Sequence, residues 1–178
     1  MTGVGEYAPI PPVLGPLSSS KILYAGVMIR DNEPYVLEYN VRMGDPECQP
    51  ITLRMDFDLY DYFVASVDGT LSLMPQITWK NQSSVCIVLA SEGYPESYLK
   101  DEEITGFDLI PKNAMVFHAG TKKQDGKILS NGGRVLGVTA LGDTLTSAIS
   151  NAYIAAEKIS WPHKYYRKDI GKKGLSYI

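Results

Sequence analysis

The residues with the clearest chemical potential are Glu38, Asn40 and Arg42, which alternate with Leu37, Tyr39 and Val41. In an extended strand successive side chains point to opposite faces, so these polar groups would share one surface at intervals of about 6.6 Å. A carboxylate and an amide carbonyl so placed offer hard oxygen ligands to Mg²⁺, which takes one or two protein groups and completes its octahedron with water and phosphate oxygens. The guanidinium of Arg42 could offset the charge of a phosphate or a developing oxyanion through its planar fork. Together they suggest phosphoryl-transfer chemistry. The plainer reading of the same pattern is the wet face of a half-buried strand.

A hairpin must position this segment. The apolar run Ile22 to Ile29 is followed by the turn candidate Asp31-Asn32-Glu33-Pro34 and by a second run that starts at Tyr35. Beyond Arg42, the stretch Met43-Gly44-Asp45-Pro46-Glu47 carries a Gly and a Pro that turn the chain away from the strand. A helix is expected after Asp58, its cap, with Leu59, Tyr62, Phe63 and Val67 on one side and Gly69 as its stop. The pattern weakens from Gly69 to Gln82, which sets the expected division: residues 1–80 as one unit and 81–178 as the other.

The second unit reads as a small antiparallel meander. Its strands are expected at Ser84 to Ala90, Met115 to Lys123 and Arg134 to Ala140, with turns at Gly93-Tyr94-Pro95, Asp125-Gly126 and Asn131-Gly132-Gly133. Gly142 and Asp143 then open a helix whose inner face is Leu145, Ala148, Ile149, Ala152, Ala156 and Ile159, and Trp161-Pro162 ends it. Such a helix would cover one face of the sheet, an α+β architecture. His118 falls in a strand with no nucleophile or carboxylate at motif spacing, so it reads as structural.

Composition narrows the possible functions. With 44% hydrophobic and 21% charged residues among 178, the chain has the make-up of a folded domain and not of a disordered or coiled-coil protein. A net charge of −3 is too small and too mixed in sign for a nucleic-acid footprint. No apolar run approaches the ~20 residues of a membrane span, and no basic-then-apolar leader is visible, so a cytoplasmic protein is expected. Two cysteines and two histidines support neither a disulfide framework nor a zinc cluster.

The run VLEYNVRMGDPECQP resembles the signature segment of the phosphoribosylamine–glycine ligases, also called glycinamide ribonucleotide synthetases. The likeness is carried further by ILYAGVMI, ASEGYPESY, ITGF, VFHAGTKKQDGKILSNGGRVLGVTALGDTL and YYRKDIG, which together cover nearly the whole chain. It implies an ATP-grasp fold, of which residues 1–80 would be the C-terminal part, an antiparallel hairpin plus helix. It also implies a ligase of purine biosynthesis that uses ATP to join glycine to 5-phosphoribosylamine through a glycyl phosphate. By the same resemblance Glu38 and Asn40 would hold Mg²⁺ or Mn²⁺, and Arg42 would lie beside the transferred phosphoryl or the glycine carboxylate. Asp45 and Glu47 match the family's GDPE turn and would position substrate. Gly3 and Gly5 fall in a stretch similar to the family's glycine-rich GGMGAYSP loop, with Thr2, Val4 and Glu6 departing from it. Gly132, Gly133 and Arg134 match a motif of the C-terminal domain, where the arginine would face substrate.

Two departures shape the expectation. The family's N-terminal domain and the main nucleotide-binding half would precede Met1, and VLGPLSSS stands where family members carry a longer helical segment. The chain is therefore expected to be a C-terminal portion, catalytically incomplete unless the missing N-terminal portion is supplied. The alternative is a truncated, non-catalytic relative that serves as an interaction module.

Overall fold

A two-residue turn at Asp31 and Asn32, both left-handed with φ of 52° and 64°, joins strand β1 (Tyr24–Arg30) to β2 (Glu33–Asn40). Type I′ hairpin turns demand that conformation, and Asp and Asn tolerate it best after glycine. In this computed structural model, which describes residues 22–177, the hairpin is tighter than expected. Glu33 and Pro34 belong to the ladder and not to the turn. Pro34 is admitted because it stands at the start of a strand in a two-stranded sheet, where no further ladder needs its missing N–H.

The chain divides into two compact units: one holds residues up to Asp45 together with Asp58–Gln76, the other Pro46–Phe57 together with Ile77 onwards. The first carries the hairpin and helix α2 (Leu59–Val67); helix α1 (Cys48–Arg54) belongs to the second. As expected, Asp58 caps α2, its carboxylate accepting from the Tyr60 N–H at 2.8 Å, and Gly69 turns left-handed beyond its end. Helix α1 was not foreseen. Pro50 suggests a break, but in the first turn of a helix no N–H is required of it.

The second unit is built on a four-stranded antiparallel sheet of β3 (Ser83–Ser91), β4 (Ala114–His118), β7 (Arg134–Gly142) and β8 (Lys164–Tyr165), in the order β4-β7-β3-β8. This is not the expected meander, since β7 inserts between β4 and β3. A separate hairpin of β5 (Thr121–Gln124) and β6 (Lys127–Ser130), turning at Asp125-Gly126, accounts for the detour. The single strand expected from Met115 to Lys123 is divided at Ala119-Gly120. There the backbone packs so closely that a Cβ on Gly120 would meet the Arg134 carbonyl at 2.6 Å.

Helix α3 (Leu145–Lys158) covers the sheet with the inner face expected for it: Ala148, Ala152 and Ala156 are fully buried, as is Ala155, and Leu145 and Ile149 pack at the margin. Its cap is Thr144, two residues later than a start at Gly142, because Gly142 is still the last residue of β7. Thr144 and Ser147 bond reciprocally in a capping box. Against these alanines lie Ile87, Leu89, Val138 and Ala140, all sealed from solvent. Helix α1 lies on the other face, where Gln49 covers Gly137 beside Cys86.

A long connection between β3 and β4 is pinned to the segment before β8 by Glu102, whose Oε1 lies 2.5 Å from Nδ1 of His163. The hydrogen bond and negative charge of Glu102 raise the His163 pKa, with Glu92 adding to the effect. A raised folded value means that the protonated imidazole favours the folded state. That contribution is complete below the ordinary value of 6.5 and fades as pH rises through the raised one. Glu102→Gln is expected to lower the urea midpoint most near pH 6 and least in alkaline solution. In the core, Ile87→Ala should cost about 3 kcal/mol by denaturant titration, while Val67→Ala, at an 82% exposed position, should stay within about 0.5 kcal/mol.

Candidate functional site

The hairpin ladder is regular from Arg30↔Glu33 to Val27↔Val36, slips at Leu37, and resumes from Gly26↔Glu38 to Tyr24↔Asn40. Leu37 is therefore the extra residue of a β-bulge, a feature that bends a strand and re-aims side chains. In the unbroken stretch beyond it Glu38 and Asn40 lie on one face and Tyr39 on the other. Gly26, opposite Glu38, leaves room for that side chain: a Cβ there would approach Glu38 Cγ to 3.1 Å. Glu38 is exposed, while Asn40 is half-buried and its Nδ2 is buried with no hydrogen-bond partner.

The remaining residues singled out in the sequence fall on other elements, some in each unit. Arg42 lies beyond the end of β2, in a bend, and not in a continuing strand with Glu38 and Asn40. Its guanidinium donates to the Met43 carbonyl at 2.9 Å. Gly44 is buried and Asp45 exposed in the turn that closes this part of the first unit. Glu47 sits in the second unit at the N-cap of α1, where its carbonyl, and not its carboxylate, serves the helix by accepting from Ile51 at 3.2 Å. Arg134 opens β7 in the same unit and is exposed. Gly3 and Gly5, with the connection before Lys21, lie outside the described residues.

The two glycines before Arg134 have a packing reason. A Cβ on Gly133 would fall 1.9 Å from Cδ2 of Tyr94, and one on Gly132 would fall 2.9 Å from the Gly120 Cα. The Gly133 carbonyl accepts from Ser91 at 2.8 Å, which ties this turn to the end of β3. His118, exposed at the end of β4, has Nδ1 at 3.0 Å from Thr121 Oγ1 and its ring stacked on Phe107 at 5.4 Å.

Among the described residues no group of three or more His, Cys, Asp or Glu could hold a metal ion, so Glu38 and Asn40 stand as a pair of oxygen donors. A pair suits a hard divalent cation that draws its other ligands from water and phosphate, and it suits zinc poorly.

Residues 84–173, half of the chain, match the family model described as phosphoribosylglycinamide synthetase, C domain. The chain belongs to the phosphoribosylglycinamide synthetase family. Residues 17–48 match the family's ATP-grasp (A) domain, a span that contains Glu38, Asn40, Arg42, Asp45 and Glu47. A phosphoribosylamine–glycine ligase of Rhodopirellula baltica is 41% identical over 97% of this chain and 45% of its own length. One from Pasteurella multocida is 48% identical over 86% of this chain and 36% of its own. The crystal structure of the Thermotoga maritima phosphoribosylamine–glycine ligase superposes with a TM-score of 0.71 at 38% identity, covering 83% of this chain and 36% of that one.

The resemblance read from the signature motifs is thus borne out, and so is the mixed α and β architecture with antiparallel sheets. The chain spans less than half the length of these members of the synthetase family. The Rhodopirellula baltica alignment runs over 196 residues, more than the 178 of the chain itself, so that relative holds residues with no counterpart here. Among the described residues no helix is long and apolar enough to cross a membrane. One feature escaped the sequence reading: a cleft in the second unit lined by Pro50, Ile51, Arg54, Trp79 and Ser84, residues too scattered in the chain to form a motif.

The packing of the glycine pair can be tested by urea titration. Gly133→Ala should destabilise the protein by about 1–3 kcal/mol, because the added methyl displaces the Tyr94 ring. Adding Tyr94→Ser removes the obstacle, so the double variant should lose less than the sum of the two single changes.

Proposed function

We propose that this chain is the metal- and substrate-bearing C-terminal portion of a phosphoribosylamine–glycine ligase, working in the cytoplasm in purine biosynthesis. The observation that carries the proposal is the ATP-grasp match at residues 17–48, because it falls on the strand where Glu38 and Asn40 share one face. The second match, at 84–173, supports a functional division into a partial ATP-grasp domain at 1–80 and a C-terminal domain at 81–178.

The reaction joins an amine to a carboxylate that is a poor electrophile until activated. A glycine carboxylate oxygen attacks the γ-phosphorus of ATP, ADP leaves, and glycyl phosphate forms. The amine of 5-phosphoribosylamine then attacks the acyl carbon, and the carbon–oxygen bond to phosphate breaks as the nitrogen loses its proton. The protein contributes positioning and charge stabilisation. Glu38 and Asn40 would hold Mg²⁺ or Mn²⁺, which when bound neutralises charge on the nucleotide phosphates. Arg42, on the loop just past the strand, would place its guanidinium against the glycine carboxylate or the transferred phosphoryl. Asp45 and Glu47 would orient substrate, and Arg134 and the Gly3–Gly5 loop would contact it. The chain spans under half of its relatives, so turnover belongs to an assembly that also holds their remaining portion.

Complementation tests this. The chain is mixed with the N-terminal portion of the Thermotoga maritima relative, Mg²⁺, ATP, glycine and 5-phosphoribosylamine. ADP, phosphate and glycinamide ribonucleotide are expected in equal amounts, and Glu38→Ala should abolish turnover. An active mixture indifferent to Glu38→Ala would refute the metal assignment. An inert mixture that nevertheless forms a stable complex would favour the interaction-module reading.

A further inference from the structure

The cleft beside α1 in the second unit has a volume of about 330 Å³ and is lined by Pro50, Ile51, Arg54, Trp79 and Ser84. That is enough for a small ring bearing one polar group. Its polar chemistry is unsatisfied. Arg54 Nε and Ser84 Oγ, both from lining residues, are buried with no hydrogen-bond partner. Gln49 Oε1 on α1 and Thr139 Oγ1 on β7 are also orphaned, so four of the buried unpaired polar atoms belong to α1 or to the two strands it covers. A buried polar atom without a partner is costly, the more so when it is charged, so such a cluster calls for a ligand or ordered solvent.

The charge is as unbalanced as the hydrogen bonding. Among the described residues the Arg54 guanidinium makes one long contact, from Nη2 to the Lys80 carbonyl at 3.4 Å, and none of the described lining residues is acidic. Lys80, the nearest other cation in this ladder, spends its Nζ on the Leu53 carbonyl at 2.9 Å. A half-buried guanidinium with free N–H groups is a receptor for a carboxylate or phosphate.

The aromatic lining residue is held in place. Trp79 pairs with Met55 in an isolated antiparallel bridge, flanked by Asp56 N–H to Thr78 O at 3.2 Å and Lys80 N–H to Arg54 O at 2.9 Å. Its indole meets Phe57 edge-on at 5.7 Å, yet it stays 42% exposed. A large aromatic fixed on its backbone and left open to solvent is poised to stack against another ring at small entropic cost.

We propose that this cleft is a binding site for a small aromatic anion, its carboxylate or phosphate taken by Arg54 and Ser84 and its ring lying against Trp79. The ligand is set by chemistry: one anionic head with at least two acceptor oxygens, and one planar body no larger than a single ring system. The site lies wholly within the second unit and needs neither ATP nor a metal, so its test is independent of the ligase reaction.

Fluorescence of the full chain reports on it directly. Trp79 is exposed to a ligand, whereas the other tryptophan, Trp161, is 95% buried in the core, its exposure being 5%. Benzoate and phenyl phosphate are titrated as carboxylate and phosphate probes, with benzyl alcohol as the neutral counterpart. At least one anion should give a saturable change with Kd of about 1 mM. Arg54→Gln should weaken it at least about tenfold, with Arg54→Lys intermediate, and Ser84→Ala severalfold. Trp79→Phe should abolish the optical change while calorimetry still detects binding. Circular dichroism establishes that each variant is folded. Ser84→Ala, which removes only a hydroxyl, keeps the test decisive if the Arg54 variants unfold. Equal responses to benzyl alcohol and the anions, an unchanged Kd in the folded Arg54→Gln protein, or no saturable response to either anion would overturn the proposal and leave the orphaned groups to water.

Discussion

The closeness of helix α3 to strand β7 governs the second unit. A Cβ on Gly142 would stand 2.2 Å from the Ala148 backbone nitrogen, so the helix can begin where it does only because that strand residue has no side chain. The same proximity explains why the inner face of α3 is built from alanines at 148, 152, 155 and 156 and not from leucines. Large side chains come from the sheet instead, where Ile87, Leu89 and Val138 fill the space that the helix leaves. Small on one side and large on the other is how a closely packed layer reaches interior density without voids.

On the other face the arrangement is polar. Helix α1 meets the sheet through Gln49 over Gly137 and Cys86, and the hydroxyls of Ser84, at the edge of the cleft, and of Thr139 have no hydrogen-bond partner there. The sheet is thus dry on the α3 side and chemically unsatisfied on the α1 side. The side that supplies stability and the side that offers chemistry are separated by the thickness of one strand.

Much of this could be read from residue types. Asp31-Asn32-Glu33-Pro34 announced the hairpin, though only its first two residues form the turn, Asp58 and Gly69 bracketed α2, and the three-and-four spacing from Leu145 to Ile159 marked α3 with its buried face. What escaped depended on contacts distant in sequence. The division of β4 from β5 at Gly120 follows from the approach of the Arg134 carbonyl, and the place of β7 between β4 and β3 follows from pairing across the intervening hairpin. Helix α1 escaped because it follows directly on a turn marked by Gly44 and Pro46, and its seven residues are too few to display a helical period. At the hairpin, alternation was enough to associate Glu38 with Asn40, but it could not register the bulge at Leu37 or the end of the strand before Arg42. The family was legible from motifs alone, since no spacing rule connects a strand pair to a particular acid and amine.

The interleaving of the two units along the chain has a practical consequence for anyone dissecting the molecule. A fragment starting after Gln76 would retain every strand of the four-stranded sheet but forfeit the short helix that shelters its polar side. Such a piece would expose Cys86 and the hydroxyl-bearing face of the central strands to solvent and thiol reagents. Its behaviour would then report a surface that the intact chain covers in large part.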